Sequence, residues 1–197
     1  MKFNHAHSKQ HDEQGATLIE ALVSILVLSL GLLGMAGLQL NALSFQKSSW
    51  ATHRIAELTG DISERIRANP TGANNGNYVY TATYSTAKAA TMTSNLCRTS
   101  GTDCTTAQIA NDDIAAWLVK AQAALPSGAA TITGDSMNGY TVTAMYQDKE
   151  FVDPTTGALQ SATACTSSLT GIAWRNCCPT AVSAPAGVRC YRSSIIP

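Results

Sequence analysis

Residues 15–33 read GATLIEALVSILVLSLGLL, an apolar run that contains one acidic residue, Glu20. No charged residue occurs from Ala21 to Leu38. As an α-helix, this uncharged stretch is about 27 Å long, close to the roughly 30 Å of a bilayer's hydrocarbon core. The stretch therefore predicts a membrane-spanning helix. It also raises the question of why a carboxylate stands near its start, since a charge buried in lipid costs free energy.

A cleaved secretory signal peptide is the alternative interpretation of the same stretch. Gly34-Met35-Ala36 has the small-x-small pattern of a signal-peptidase site. Against this alternative, the apolar run is long for a signal peptide, and Glu20 is out of place inside one. The run also continues directly into a second helical pattern, which favours a helix that is retained.

That second pattern is a stripe of four apolar residues, Ile55, Leu58, Ile62 and Ile66, spaced three, four and four apart. This spacing places them on one face of an amphipathic helix. Pro70 disfavours a helical conformation for the residue before it, so the helix is expected to stop there. The sequence thus predicts one helix of about 52 residues, from Thr17 to Ala68, about 78 Å long.

After Pro70 the helical periodicity gives way to loops, short strands and one further helix. Residues 71–77 are rich in Gly and Asn and predict a loop, whereas the alternating residues 78–84 predict a strand. Asp112 or Asp113 is suited to cap the further helix, which Pro126-Ser127-Gly128 would end. The apolar face of that helix would consist of Ile114, Trp117, Leu118, Ala121 and Leu125.

Three more strands are predicted in the last third of the chain, over residues 140–146, 171–175 and 188–195. Asp153-Pro154-Thr155-Thr156-Gly157 is a turn signal. Antiparallel pairing of these strands is expected, with the long helix covering one face of the sheet.

Six cysteines all follow the apolar stretch, and no C-x-x-C pair occurs. Their even number predicts disulfides formed in an oxidising compartment. One member of the adjacent pair Cys177 and Cys178 is expected to bond Cys190, although six cysteines allow several connectivities. The remaining candidates are Cys165 for the other member of that pair, and a small loop closed by Cys97 and Cys104.

The composition disfavours several classes of function. The formal net charge is zero, which argues against a nucleic-acid-binding protein. His53 is the only histidine outside the first eleven residues, so a metal site is not expected, and no cofactor is predicted. The sequence contains no G-x-S-x-G, P-loop or H-E-x-x-H motif, so an enzyme is not predicted.

The segment Gly15-Ala16-Thr17-Leu18-Ile19-Glu20, followed by an apolar run and a long amphipathic helix, resembles the N-terminus of type IV pilins. The resemblance implies that a prepilin peptidase cuts between Gly15 and Ala16 and methylates the new amine of Ala16. Glu20 then becomes the fifth residue, where the family has a glutamate that acts in subunit assembly. The sequence departs from the family in having Ala16 where phenylalanine is usual.

The resemblance implies an α+β fold: a long N-terminal α-helix, with a transmembrane half and an amphipathic half, packed on a small antiparallel β-sheet head. The implied organisation is a leader peptide over residues 1–15, a transmembrane and assembly helix over 16–43, its amphipathic continuation over 44–69 and a disulfide-bonded periplasmic head over 70–197. The histidines His5, His7 and His11 fall within that leader.

Five shorter motifs in the head are similar to those of minor pilins. They are Asp113-Ile114-Ala115-Ala116-Trp117, Leu125-Pro126-Ser127-Gly128, Gly139-Tyr140-Thr141-Val142-Thr143, Ile172-Ala173-Trp174-Arg175 and Arg189-Cys190-Tyr191-Arg192. The resemblance therefore implies a non-enzymatic subunit of a type IV pilus. A pseudopilin of a type II secretion system and a membrane-anchored periplasmic enzyme are the alternatives.

The implied partners are the prepilin peptidase, other minor and major pilins, the pilus assembly machinery of the bacterial inner membrane, and the membrane itself. The head would lie in the periplasm and later on the pilus. In this setting Glu20 has a physical reason to be kept. Its carboxylate would pair with the Ala16 amine of a neighbouring subunit, because a charge within an apolar helix bundle is tolerated when it is paired.

Overall fold

The computed structural model describes residues 18–91, residue 97 and residues 103–197. These residues fall into two compact units that divide between Ser48 and Ser49. The α+β class expected from the sequence is confirmed, because the structure contains a long N-terminal helix and a three-stranded antiparallel sheet.

Helix α1 runs from Leu18 to Ala68 and ends where the sequence predicts. The next residue, Asn69, caps a second short helix, α2 (Pro70–Asn74), by accepting a hydrogen bond at 3.0 Å from the backbone N–H of Gly72. The ring of Pro70 thus sits at the first position of α2, where its missing N–H costs nothing.

The part of α1 in the first unit has its side chains exposed from Leu18 to Leu43. Within the described part of the chain, α1 is the one helix long and apolar enough to cross a membrane, with a mean hydropathy of 2.3 over its most apolar window.

The part of α1 in the second unit buries its predicted stripe, with all four apolar side chains at most 6% exposed. The stripe packs into the main core of the head together with one face of the sheet and one face of α4, a helix from Thr106 to Ala124. The core residues from these partners are Ala110, Ile114, Trp117, Leu118, Ala121, Leu125, Ala130, Ile132, Tyr140, Val142 and Ala144.

The predicted apolar face of α4 is confirmed, but the predicted start of the helix is wrong. Thr105 caps α4, and it forms a reciprocal capping box with Gln108. Asp112 and Asp113 therefore lie inside the helix, and Asp112 is buried. The Thr-x-x-Gln box satisfies two backbone N–H groups at once, those of Thr105 and Gln108, and this favours the earlier start over an aspartate cap further along.

The strand predicted over residues 78–84 is also wrong. Tyr80 alone pairs with the sheet, through a single bridge to Ile132. Thr83 caps another short helix, α3 (Tyr84–Ala89), by accepting from the N–H of Thr86. The sequence pattern is misleading because Tyr78, Tyr80 and Tyr84 are an even number of residues apart, as inward-facing residues of a strand would be. Tyr78 and Tyr84 are buried, but they are not part of a strand.

The sheet consists of β1 (Ala129–Asp135), β2 (Gly139–Gln147) and β3 (Val188–Ile195), in the order β1-β2-β3. The last two strands are confirmed predictions, whereas β1 was not predicted. The face opposite the main core carries a second apolar cluster, which includes Met145, Val188 and Cys190. Both faces of the sheet are therefore at least partly covered.

The strand predicted over residues 171–175 is wrong, because these residues belong to helix α5 (Gly171–Asn176). Gly171 has a φ of +58°, a left-handed conformation that glycine adopts without strain and that turns the chain into the helix. The predicted turn at residues 153–157 is confirmed, since the carboxylate of Asp153 accepts from the N–H groups of Thr155 and Thr156.

Three disulfides cross-link the head. The structure joins Cys97 to Cys104, Cys165 to Cys177 and Cys178 to Cys190. The adjacent pair Cys177 and Cys178 thus connects the segment before α5 to strand β3. Cross-links of this kind typically stabilise a small extracellular domain by about 2–4 kcal/mol each.

Candidate assembly helix and its attachment to the head

The carboxylate singled out by the sequence lies in the first described turn of α1. Glu20 is exposed, and its backbone carbonyl accepts a hydrogen bond at 2.7 Å from the hydroxyl of Ser24. Its apolar neighbours Leu18 and Ile19 are also exposed. Gly15 and Ala16 lie outside the described residues, so the cleavage site and its relation to Glu20 stay a prediction.

The surface around and beyond Glu20 is almost wholly apolar. Thirteen of its large side chains, from Leu22 to Leu43, are more than half exposed: Leu22, Val23, Ile25, Leu26, Val27, Leu28, Leu30, Leu32, Leu33, Met35, Leu38, Leu40 and Leu43. An exposed apolar area of this extent is typical of a surface that lipid or other apolar helices cover. The three glycines Gly31, Gly34 and Gly37 leave space that would admit close packing of another helix.

The second half of α1 is attached to the head by a buried tryptophan. Trp117 of α4 has no exposed surface, and its indole Nε1–H donates a 2.8 Å hydrogen bond to the carbonyl of Leu58. The ring belongs to the main core, as do Ile62 and Ile66 of α1. This contact combines a large apolar area with a satisfied polar atom, which is what a buried indole requires.

A charged cluster lies next to this core and ties α1 to α4. Arg65 of α1 contacts Asp61 on its own helix at 3.1 Å and Asp113 of α4 at 2.8 Å. Asp61 in turn accepts from Lys120 at 2.9 Å. The hydroxyl of Tyr78 donates to the second oxygen of Asp113 at 2.8 Å. The helical pair of Asp61 and Arg65 could be seen in the sequence, but the role of Asp113 could not.

The pKa shifts in this cluster follow from burial and from these contacts. Partial burial alone would raise the pKa of Asp61, but the hydrogen bonds from Lys120 and Arg65 outweigh it and lower the pKa. Burial would lower the pKa of Arg65, and its bonds to Asp113 and Asp61 raise it instead. Burial and the Asp113 carboxylate together raise the pKa of Tyr78. These shifts keep Asp61 and Arg65 charged at neutral pH.

We expect Asp61→Asn to cost about 1 kcal/mol of unfolding free energy at pH 7, in the range of a partly exposed ion pair. Because the pKa of Asp61 is lower in the folded than in the unfolded state, its stabilisation is complete above the ordinary value of 3.8. It is lost as the pH falls through the lower folded value. Denaturant unfolding of wild type and variant across this pH range measures the loss.

Glu64→Gln is the matched control, because Glu64 is on the same helix but forms an exposed pair with Arg67. Its effect should be small at every pH. A stability difference for Asp61→Asn that stays constant from pH 7 to pH 3 would contradict the assignment of the lowered pKa to Asp61.

The one histidine among the described residues does not form a metal site. His53 is exposed on α1, with its Nε2 at 3.4 Å from a carboxylate oxygen of Glu57. Within the described parts of the chain, no group of three or more His, Cys, Asp or Glu side chains is placed to hold a metal ion.

A long helix with an exposed apolar half and an amphipathic half buried in an α+β head is the architecture of type IV pilin-like proteins. Residues 37–115 match the model of a family described as Tt1218-like, type IV pilin Tt1218. The match runs from the apolar half of α1 into α4, and it supports a type IV pilin-like family for this chain. No curated protein and no solved structure matches the chain.

By its description, the matched family consists of type IV pilins, and the match covers less than half of this chain. The apolar first half of α1 is compatible with membrane anchoring.

Proposed function

We propose that this chain is a minor pilin of the PilV type, which takes part in starting the assembly of a type IV pilus or is incorporated into it. The observation that supports this proposal most strongly is the bare apolar half of α1, combined with the pilin-family match of residues 37–115. A surface of that kind needs lipid before assembly and neighbouring helices after it.

The head motifs similar to minor pilins occupy positions that shape the head. Asp113–Trp117 supplies both the ion pair to Arg65 and the buried indole. The motif at residues 139–143 forms the start of β2, and the motif at 189–192 lies in β3. The motif at 172–175 forms most of α5. The resemblance to PilV therefore involves residues with structural roles, rather than surface residues alone.

The proposed role of Glu20 is to select the axial position of an incoming subunit. Cleavage after Gly15 would leave a positive amine on Ala16, four residues before Glu20. Within a bundle of apolar helices, the amine of one subunit and the carboxylate of the next can form an ion pair. Each charge would be costly without the other, so the pair would favour one docking position over its neighbours.

The proposed topology is a single pass through the inner membrane, with the head in the periplasm. Residues 1–15 would be the leader, 16–43 the transmembrane and assembly helix, 44–69 its amphipathic continuation and 70–197 the head. The three disulfides support an oxidising location for the head, because such bonds persist outside the cytoplasm.

We expect the mature protein to begin at an N-methylated Ala16, because Gly15 and Glu20 have the spacing of a prepilin processing site. Mass spectrometry of the N-terminal peptide from membrane fractions measures this. A Gly15→Leu variant should keep its leader, since the peptidase is expected to require a small residue before the cut.

A mature terminus after Ala36 would instead identify a signal peptide, and an uncleaved Met1 in wild type would contradict the pilin proposal.

Crosslinking of sheared filaments, followed by identification of the neighbouring chains, separates a pilus subunit from a secretion pseudopilin. Recovery with pilins supports the proposal, and recovery only with secretion components overturns it.

A further inference from the structure

One disulfide of the head lies against a positive charge. The guanidinium of Arg192 in β3 places its Nη1 at 3.4 Å from the sulfur of Cys165 and at 3.3 Å from the sulfur of Cys177. The same guanidinium is stacked on the ring of Trp174 in α5, with Cζ 4.2 Å from the ring centroid. It is thus held in place against both atoms of the Cys165–Cys177 bond.

Within the described part of the chain, no acidic side chain neutralises Arg192. Residues 154–197 contain no Asp or Glu, and among the described residues no carboxylate forms an ion pair with Arg192. Its Nε is buried and has no hydrogen-bond partner within the described structure. A neutral disulfide sulfur is only a weak acceptor, so this cation lacks a strong partner while the bond is oxidised. Arginine nevertheless stays protonated at neutral pH.

The neighbouring disulfide has a different environment. Cys178 and Cys190 are both buried, and they belong to the second apolar cluster of the head with Met145 and Val188. By contrast, Cys165 is partly exposed, whereas Cys177 is buried. Cys165 is therefore the more accessible end of this bond for an incoming thiolate, which makes the sulfur of Cys177 the leaving group.

We propose that Cys165–Cys177 is a redox-modification site, a disulfide that dithiols reduce in preference to Cys178–Cys190 because Arg192 stabilises the resulting thiolates. The partner is a dithiol, either a small molecule or a protein with a reactive cysteine pair. This inference concerns the chemistry of the head and stands apart from the proposed role in a pilus.

The exchange proceeds in two balanced steps. One thiolate of the dithiol attacks the sulfur of Cys165, a mixed disulfide forms, and Cys177 leaves as a thiolate beside Arg192. The second thiolate of the dithiol then attacks the dithiol's other sulfur, which is bonded to Cys165 in the mixed disulfide, and Cys165 leaves as a thiolate. The dithiol loses two electrons and becomes a disulfide, the Cys165–Cys177 bond gains those electrons, and the two protons of the dithiol pass to solvent or to the cysteines.

Arg192 favours reduction in both rate and equilibrium. A nearby cation lowers the pKa of a cysteine thiol, and a thiol with a lower pKa leaves faster. The reduced state also supplies the strong acceptors that the guanidinium lacks in the oxidised state. Arg189, two residues earlier in the same strand, already has an acidic partner in Asp148 at 2.6 Å and stacks on Phe151 instead.

The test equilibrates the full-length protein in detergent with graded ratios of reduced to oxidised dithiothreitol, then quenches with acid, alkylates and quantifies peptides. Cys165 reports one bond and Cys190 the other, because the adjacent residues Cys177 and Cys178 fall on the same peptide. We expect Cys165 to become alkylated at a ratio at least about tenfold lower than Cys190. In Arg192→Met, the midpoint for Cys165 should shift about tenfold towards more reductant, equivalent to about 30 mV for this two-electron couple.

Arg192→Lys keeps a positive charge, and its midpoint should lie closer to wild type than that of Arg192→Met. Arg189→Met is the matched control and should leave the Cys165 midpoint unchanged, and Cys190 should keep its midpoint in every variant. Reduction of Cys190 at or before the ratio that reduces Cys165 would overturn the proposal. So would a Cys165 midpoint that is the same in wild type, Arg192→Met and Arg192→Lys.

Discussion

Replacing Trp117 with alanine is expected to lower the unfolding free energy of the head by about 3–5 kcal/mol, the range for removal of a fully buried aromatic side chain. The indole has no exposed surface, and it occupies the place where the stripe of α1 meets α4. Truncation leaves a cavity that the surrounding helices can fill only in part. It also removes the 2.8 Å hydrogen bond to the carbonyl of Leu58. A domain of this size typically has about 5–15 kcal/mol of stability, so the loss is a large fraction of the total.

Chemical denaturation of the full-length protein in detergent, followed by far-ultraviolet circular dichroism, measures this loss. Trp50→Ala is the matched control, because Trp50 lies on α1 and is 45% exposed, with only a 5.8 Å stacking contact to Arg54. Its cost should stay within about 0.5 kcal/mol, as for most surface substitutions. Equal losses for the two tryptophans would contradict the role of Trp117 in packing α1 against α4.

The two long helices could be predicted because their apolar residues recur at helical spacing along the sequence. The stripe from Ile55 to Ile66 recurs at helical spacing over three turns, and all four of its side chains are buried. The end of α1 before Pro70 follows from a steric rule that does not depend on the rest of the fold. The apolar face of α4 could also be predicted, because several of its buried residues recur at helical spacing.

Short elements were predicted poorly because tertiary contacts decide them. Residues 171–175 contain apolar and aromatic residues suited to a strand, yet they form α5, in which no residue is buried. Strand β1 is hard to predict because its β-branched run is only three residues long, Thr131 to Thr133, and lies between Ala130 and Gly134, which have low strand propensity. Backbone pairing with β2 keeps β1 in the sheet despite the low strand propensity of its sequence.

In the candidate site too, contacts between residues close in the sequence could be predicted, whereas contacts between distant residues could not. The pair of Asp61 and Arg65 is local, so its spacing reveals it. Asp113 is 48 residues from Arg65, and only the fold brings the two side chains to 2.8 Å. The proximity of Arg192 to the Cys165–Cys177 bond likewise depends on how β3 pairs and where α5 lies. Residue types alone suggested cysteine pairing there, but not a cation beside it.

Replacing Glu20 with alanine is expected to leave membrane insertion intact and to block incorporation into filaments. Removing a charge from an apolar helix makes insertion easier, so a failure to reach the membrane is not the expected defect. In the proposed filament, the Ala16 amine of a neighbouring subunit would lose its partner and be buried without one. Leaving one member of a buried ion pair alone typically costs about 3–5 kcal/mol, which lowers the binding of an incoming subunit by a factor of roughly hundreds or more. The measurement is the amount of this protein in sheared pili relative to the inner membrane, for wild type and variant.

Two further variants separate the charge of Glu20 from its size and from its place on the helix. Glu20→Gln keeps the size of the side chain without the charge, and it should fail in the same way as Glu20→Ala. Ser24→Ala is the matched control, because Ser24 lies one helical turn further on and its hydroxyl is already bonded to the carbonyl of Glu20. It should assemble as wild type does, since no intersubunit partner is needed for that hydroxyl. If Glu20→Gln assembled normally while Glu20→Ala did not, packing rather than charge would be the reason that the residue is kept. If all three variants reached the pili at the wild-type ratio, the carboxylate would have no part in docking, and the proposed pairing with Ala16 would be wrong.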